Sequence, residues 1–268
     1  MNITLDSRLG CIAEAIGSAC IVADIGTDHG LLPIALLLRG QAERAVACDI
    51  RQGPLDSARR NAERYGVSDK VELVLTDGFH GVEVYSPDAV VISGMGGELI
   101  ARIISEAPYL RGDVRLFLQP MTRAESLRRY LAQNGFSIAA EHLARDGKRL
   151  YSVIEAGYAG KTAEYTEAQL LVGMPEHHTD MSLFADHAVM AAERLERRRD
   201  GLARSVMQSG DAPDVDMDDA ELSHSVRCRT YTDKTDILTQ LSDTISELRA
   251  MTAAARCDDP ADTEHKKG

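Results

Sequence analysis

The sequence predicts an α/β protein: a doubly wound parallel sheet closed by an antiparallel hairpin, followed in the chain by a helical appendage. Three observations carry this. Between residues 20 and 155, short apolar runs alternate with helical patterns, as expected where helices cover both faces of a parallel sheet. Two extended runs joined by Arg145-Asp146-Gly147 close that series, and such a turn signals a hairpin. Beyond about residue 160 the strand patterns stop and helical periodicity takes over.

Taken in order, residues 1–18 read as a short amphipathic helix, with Leu5, Leu9, Ile12 and Ile16 at helical spacing. Strands are expected at Ile21–Ile25, Ala45–Asp49, Val71–Leu75, Ala89–Ser93 and Val114–Leu118, separated by helices near 31–39, 54–65, 97–107 and 123–134. The hairpin comprises Phe136–Ala144 and Lys148–Glu155. Helices are expected over 183–207 and 233–255; in the second, Leu238, Leu241, Ile245 and Leu248 follow 3–4 spacing. Between them, 210–219 is an acidic connector containing Gly210 and Pro213, and the tail from 258 to 268 reads as disordered. The expected domains are 1–158, a ligand-binding domain, and 159–257, a helical hairpin.

Hydrophobic residues are 44% and charged residues 27% of the chain, the balance of a soluble globular protein. The longest apolar run, Leu31 to Leu38, falls far short of the ~20 residues a bilayer span needs, and the N-terminal residues lack a signal-peptide pattern. Five scattered cysteines form no CxxC pair, so neither a disulfide framework nor a metal site is expected. Reduced thiols in a cytoplasmic protein follow. The net charge of −12 excludes a broad, non-specific nucleic-acid binder. That charge is uneven: residues 1–160 carry −3 and residues 161–268 carry −9, so arginine groups in the first part could still meet a phosphate backbone.

The residues with chemistry gather at the carboxyl ends of the expected strands, where sheets of this kind bind ligands. Asp24-Ile25-Gly26-Thr27-Asp28-His29-Gly30 ends the first strand and opens a helix. Gly26 allows a tight turn and close approach of backbone to a ligand, with Thr27 beside it. A dinucleotide fingerprint needs Gly-x-Gly-x-x-Gly; here Asp28 takes the central glycine position and would repel a pyrophosphate. An adenosyl ligand carrying an amino cation and a sulfonium suits it better. Asp49, with Ile50 after it, ends the second strand at the distance from which an acid reaches a ribose. Asp77 and Gly78 follow the third strand, where Asp77 could accept from an adenine amino group. Ser93-Gly94-Met95-Gly96-Gly97 ends the fourth, leaving bare backbone along which a planar substrate could slide. Gln119 and Pro120 end the fifth, and the Gln119 amide suits a base edge.

Ala23-Asp24-Ile25-Gly26-Thr27-Asp28-His29-Gly30-Leu31-Leu32-Pro33, with Ile92-Ser93-Gly94-Met95-Gly96-Gly97 and Leu118-Gln119-Pro120, resembles the bacterial tRNA adenine-N1 methyltransferase family that modifies an adenine in the D-arm region; Ser7-Arg8-Leu9 fits as well. The resemblance covers roughly residues 5–158. It implies a seven-stranded class I methyltransferase (Rossmann-like) sheet, S-adenosyl-L-methionine as cofactor, tRNA as partner, and a C-terminal coiled-coil-like helical domain that helps hold the tRNA. On that footing the cofactor would be held by Asp24, Gly26, Thr27, Asp49, Ile50, Asp77, Gly78, Ser93 and Gly94. Asp28, His29, Arg8 and Met95 would serve catalysis. Gly96, Gly97, Gln119, Pro120, Arg197 and Arg198 would meet substrate, with Arg123, Arg128, Arg129, Arg194 and Arg199 as further phosphate contacts. No metal and no membrane are expected, and the protein would act as a monomer or weak homodimer. The alternatives are methyl transfer to another RNA or a small molecule, and an NAD-binding oxidoreductase.

Overall fold

The structure, a computed structural model, describes residues 3–209 and 220–257. The expected connector at 210–219 and the tail from 258 lie outside the described residues. The chain divides into two compact units, one ending at Asp180 and the other starting at Met181.

In the first unit, helix α1 (Ser7–Ile16) begins later than the periodicity suggests, because the Asp6 carboxylate accepts from Leu9 N at 2.7 Å and fixes the helix start there. Strand β1 (Ala19–Ile25) follows. The Asp88 carboxylate secures its first residues by accepting from Cys20 N at 3.1 Å and Ile21 N at 2.6 Å. Then come α2 (Leu31–Leu38), β2 (Ala42–Asp49), α3 (Gln52–Tyr65), β3 (Val71–Leu75), β4 (Ala89–Gly96), α4 (Gly97–Glu106), β5 (Arg115–Thr122) and α5 (Ala124–Gln133). The hairpin is β6 (Phe136–Asp146) and β7 (Arg149–Tyr158), turning at Gly147, whose φ is +56°. Pro33 is tolerated in α2 because it falls in the first turn, where N–H groups have no helical partner.

The seven strands form one sheet in the order β3-β2-β1-β4-β5-β7-β6. The first five are parallel, and β7 lies antiparallel between β5 and β6. Alternate residues of the strands feed two cores. Val22, Val91, Phe117 and Val153 pack with Ile12, Ile16 and Leu36 on one face. Ile25, Ile92, Leu118 and Ile154 pack with Ile100, Ile104 and Leu127 on the other. The strand order reverses at β1, which pairs with both β2 and β4. Ligands of such sheets bind outside the carboxyl ends at that switch point.

The first unit reaches 22 residues past the expected boundary at 158, to Asp180. One reason is Arg128, which is no phosphate contact. Its side chain is fully buried. The guanidinium donates to the Glu141 carboxylate (Nη2 to Oε2 2.6 Å, Nε to Oε1 3.0 Å), to Ser152 Oγ at 3.2 Å, and to the carbonyls of Leu170 and Leu171 at 2.9 and 3.1 Å. These bonds draw α6 (Glu167–Val172) onto the sheet domain. Burial alone would raise the Glu141 carboxyl, but Arg128, with His178 and Ser152, holds it below the usual carboxylate range. Gly173, at φ +87°, crosses so near that a Cβ there would sit 2.2 Å from Glu141 Oε1.

The second unit contains α7 (Met181–Ser209) and α8 (Ala220–Cys257), which pack against each other. Both are longer than expected. Phe184, Ala188, Ala191 and Leu195 of α7 are buried, as are Leu241, Ile245, Leu248 and Ala255 of α8, which is the 3–4 spacing of a helix seam. No helix among the described residues is long and apolar enough to cross a membrane.

Candidate active site

At the carboxyl rim, over the β1/β4 switch point, lies a cavity of about 420 Å³, within the size range of small-molecule sites. Its walls include Gly26, Asp49, Ile50, Asp77, Gly78, Ser93, Gly94 and Met95. Eight residues singled out from sequence, on four strand ends, therefore share one wall.

Each has a local cause. Gly26 holds φ +77°, and its N–H and that of Thr27 both bond Cys48 O at 2.8 Å, so the chain turns sharply off β1. A Cβ on Gly26 would lie 2.1 Å from the Met95 methyl, so Met95 closes over that glycine. Asp49 is buried; its Oδ1 accepts from Arg51 N at 2.8 Å, while among the described residues none donates to Oδ2. Asp77 is exposed and pairs with Arg102 at 3.7 Å. Gly94, at φ +78°, forms a bulge where β4 slips register against β5, which re-aims the strand end at the cavity.

Asp24 and Thr27 are buried and lie outside the cavity wall. Burial pushes the Asp24 carboxyl up to about 6, with Thr27 and Arg8 partly offsetting this and Asp49 adding to it. The Thr27 hydroxyl is buried without a well-formed hydrogen bond. Asp28 and His29 stand exposed beyond the turn, 3.4 Å apart, also outside the wall.

Three expectations are corrected. Gln119 does not offer its amide to a base: it is fully buried and its polar atoms are taken by Arg8, Gly94, Pro120 and Met121. Pro120 is buried beside it. Gly97 is not bare backbone for a substrate either, since a Cβ there would meet Arg123 O at 2.2 Å; it is small so that α4 can start against α5. Gly96 faces Thr122, whose Oγ1 would lie 3.4 Å from a Cβ, and is not in the cavity wall. Arg197 and Arg198 are exposed on α7 in the second unit, with Glu193 3.9 Å from Arg197. Arg129 pairs with Glu167 at 2.8 Å, Arg199 with Asp200 at 2.8 Å, and Arg123 is exposed. Ile25, Arg51, Thr76, Leu99, Arg102 and Ile103 complete the wall and were not among the expected site residues. Thr76 directly precedes Asp77 and Arg51 directly follows Ile50, so both could have been found; the α4 residues carried no signal, because their place depends on how that helix packs.

The residues fit an adenosyl sulfonium ligand. Asp49 leaves one carboxylate oxygen free for a ribose diol. Ile50, 63% exposed, and Leu99, 39% exposed, supply apolar surface for a purine ring. Burial holds the Asp24 carboxyl above its usual range despite Thr27 and Arg8, and a cationic ligand nearby would favour its charged form. Among the described residues no cluster of three metal-ligating side chains occurs.

A seven-stranded sheet of this order, with acids at successive strand ends around a rim cavity, defines a class I methyltransferase fold. The family described as methyltransferase domain matches residues 5–154. The tRNA (adenine(22)-N(1))-methyltransferase of Bacillus subtilis is 34% identical over 174 residues, 65% of this chain and 73% of that protein. The crystal structure of the B. subtilis m1A22 tRNA methyltransferase is 26% identical, covering 91% of this chain and 100% of that one at a TM-score of 0.70. Sp1610 of Streptococcus pneumoniae, a proposed tRNA (m1A22) methyltransferase solved in complex with S-adenosyl-L-methionine, is 26% identical over 90% and 100% of the two chains, with a TM-score of 0.68. This chain belongs to the methyltransferase-domain family and, within it, to the family of the B. subtilis tRNA (adenine(22)-N(1))-methyltransferase.

Proposed function

We propose that the protein transfers the methyl group of S-adenosyl-L-methionine to N1 of an adenine in the D-arm region of tRNA, at position 22 as the names of its relatives state. The observation that carries this is the rim cavity in which Asp49, Asp77 and the Gly26 and Gly94 turns meet. Asp49 would take the ribose hydroxyls, and Asp77 the adenine amino group once drawn from Arg102. The Gly26 turn would lie along the methionine portion, with Asp24 balancing its charge. Bound there, the cofactor supplies an electrophilic methyl on a cationic sulfur.

Neutral adenine carries a lone pair on N1, so the protein needs no strong base before attack. Its task is to align N1 with the methyl carbon and keep water away, and positioning alone can contribute several kcal/mol. Met95, over Gly26, would form one side of the base slot. The methylated base is cationic, and Asp28 would stabilise that charge as it develops, with His29 3.4 Å away orienting the carboxylate. An adenine stacked in the tRNA would have to be extruded to enter. Exposed Arg197 and Arg198 would meet the tRNA backbone from the helical unit. tRNA as substrate makes the cytoplasm the site of action, with a monomer or weak homodimer needing no metal.

The test is incubation of unmodified tRNA transcript with labelled cofactor, followed by nucleoside analysis. The product expected is 1-methyladenosine, lost when adenine 22 is replaced. Label in any other nucleoside would refute the assignment.

A further inference from the structure

Gln119 is a buried polar residue that links α1 to the β4 bulge. Its Oε1 accepts two hydrogen bonds, from Arg8 Nη1 at 3.0 Å and from Gly94 N at 3.1 Å. Its Nε2 is spent on Pro120 O at 3.1 Å, with Met121 Sδ 3.5 Å away. With no exposed surface, it touches no substrate. The Arg8 guanidinium lies over the bulge, 3.7 Å from where a Gly94 Cβ would be, and Gly94 lines the cavity. Arg8 keeps 22% of its side chain exposed; it forms a 3.8 Å ion pair with the exposed Asp6, and its charge also acts on the buried Asp24 carboxyl. Of its five guanidinium donors, one on Nη1 bonds Gln119, and the others make no hydrogen bond among the described residues.

We infer that Gln119 is a positioning residue: by accepting from Arg8 and Gly94 together, it fixes the Arg8 guanidinium at the cavity mouth, where Arg8 holds a phosphate of the RNA beside the target base. This rests on the RNA methyl-transfer reading and assigns part of its substrate site. A guanidinium held in one orientation loses little freedom on binding phosphate, and the ion pair with Asp6 helps to place it.

The experiment is a double-mutant cycle with Arg8→Ala and Gln119→Leu, adding Arg8→Lys and Gln119→Glu, each checked for its thermal midpoint. Cofactor affinity, and KM and kcat for tRNA, are measured for every variant. Arg8→Ala should raise KM for tRNA about tenfold, the loss of a charge-assisted hydrogen bond, and move the cofactor Kd less than threefold. Gln119→Leu should reproduce that rise, and the double variant should be no worse than the worse single one. Arg8→Lys should recover only part, and Gln119→Glu, which keeps the acceptor, should recover most of the Arg8-dependent affinity. Additive losses, or an unchanged KM in Arg8→Ala, overturn the inference. Wild-type protein that binds cofactor but methylates no RNA would instead defeat the reading beneath it.

Discussion

Replacing Arg128 by Met tests how the first unit is held together. Arg128 and Glu141 are both fully buried, and the substitution removes three donor contacts to the carboxylate. A buried charge left without its partner costs about 3–5 kcal/mol. The wild-type carboxyl is held below its usual range, so its contribution is present above the unfolded pKa and lost as pH falls through the lower folded value. In Arg128→Met burial acts with far less opposition and the folded pKa rises. The variant should then be least impaired below the unfolded value of about 4.3 and lose up to about 1.4 kcal/mol per pH unit above it. His178, kept neutral mainly by burial, can protonate in acid and pair with Glu141, which works in the same direction. For a unit of this size the loss at pH 8 corresponds to a midpoint on the order of 10 °C lower. Urea or thermal unfolding at pH 5.5 and pH 8 reads it directly. Arg128→Met/Glu141→Leu should recover part of the loss, since an apolar pair leaves no stranded charge. A loss under about 1 kcal/mol, or one equal at both pH values, would refute the reasoning.

Asp24 predicts the opposite trade between stability and function. Its folded pKa is raised from 3.8 to about 6, so its contribution is full below pH 4 and lost as pH rises through about 6. Asp24→Asn should stabilise the ligand-free protein at pH 8 by up to about 3 kcal/mol, leave it unchanged at pH 4, and weaken cofactor binding in a titration. Gly97→Ala should cost about 1–3 kcal/mol in chemical denaturation, because its methyl group meets the Arg123 carbonyl; a neutral result would mean α4 can shift at no cost. Asp28→Ala should keep cofactor affinity and lower kcat for tRNA by about tenfold or more, measured under single-turnover conditions; full turnover would remove Asp28 from the mechanism.

Much of the sheet could be read in advance because its strands are short and apolar on both faces, and Gly147 marks the hairpin. The acids Asp49 and Asp77 could be read because a strand's carboxyl end gives position as well as chemistry. What escaped depends on partners remote in the chain. Arg128 resembles any surface arginine until Glu141, Ser152 and the 170–171 carbonyls close around it. Gln119 has the chemistry of a base reader, but its partner Arg8 is 111 residues away. The 159–180 segment carries a six-residue α-helix and one short 3-10 turn at Pro175–His177, too short for periodicity to assign it to either unit. Gly97 reads like Gly94 in sequence, yet one sits under Arg123 and the other opens on the cavity.

The most direct measurement is calorimetric titration of the purified protein with S-adenosyl-L-methionine, alongside Asp49→Asn. A single site should be seen, weakened roughly ten- to a hundredfold in the variant, as losing hydrogen bonds to a charged acceptor implies. No uptake by the wild-type protein, or equal affinity in the variant, would contradict the assignment of the rim cavity.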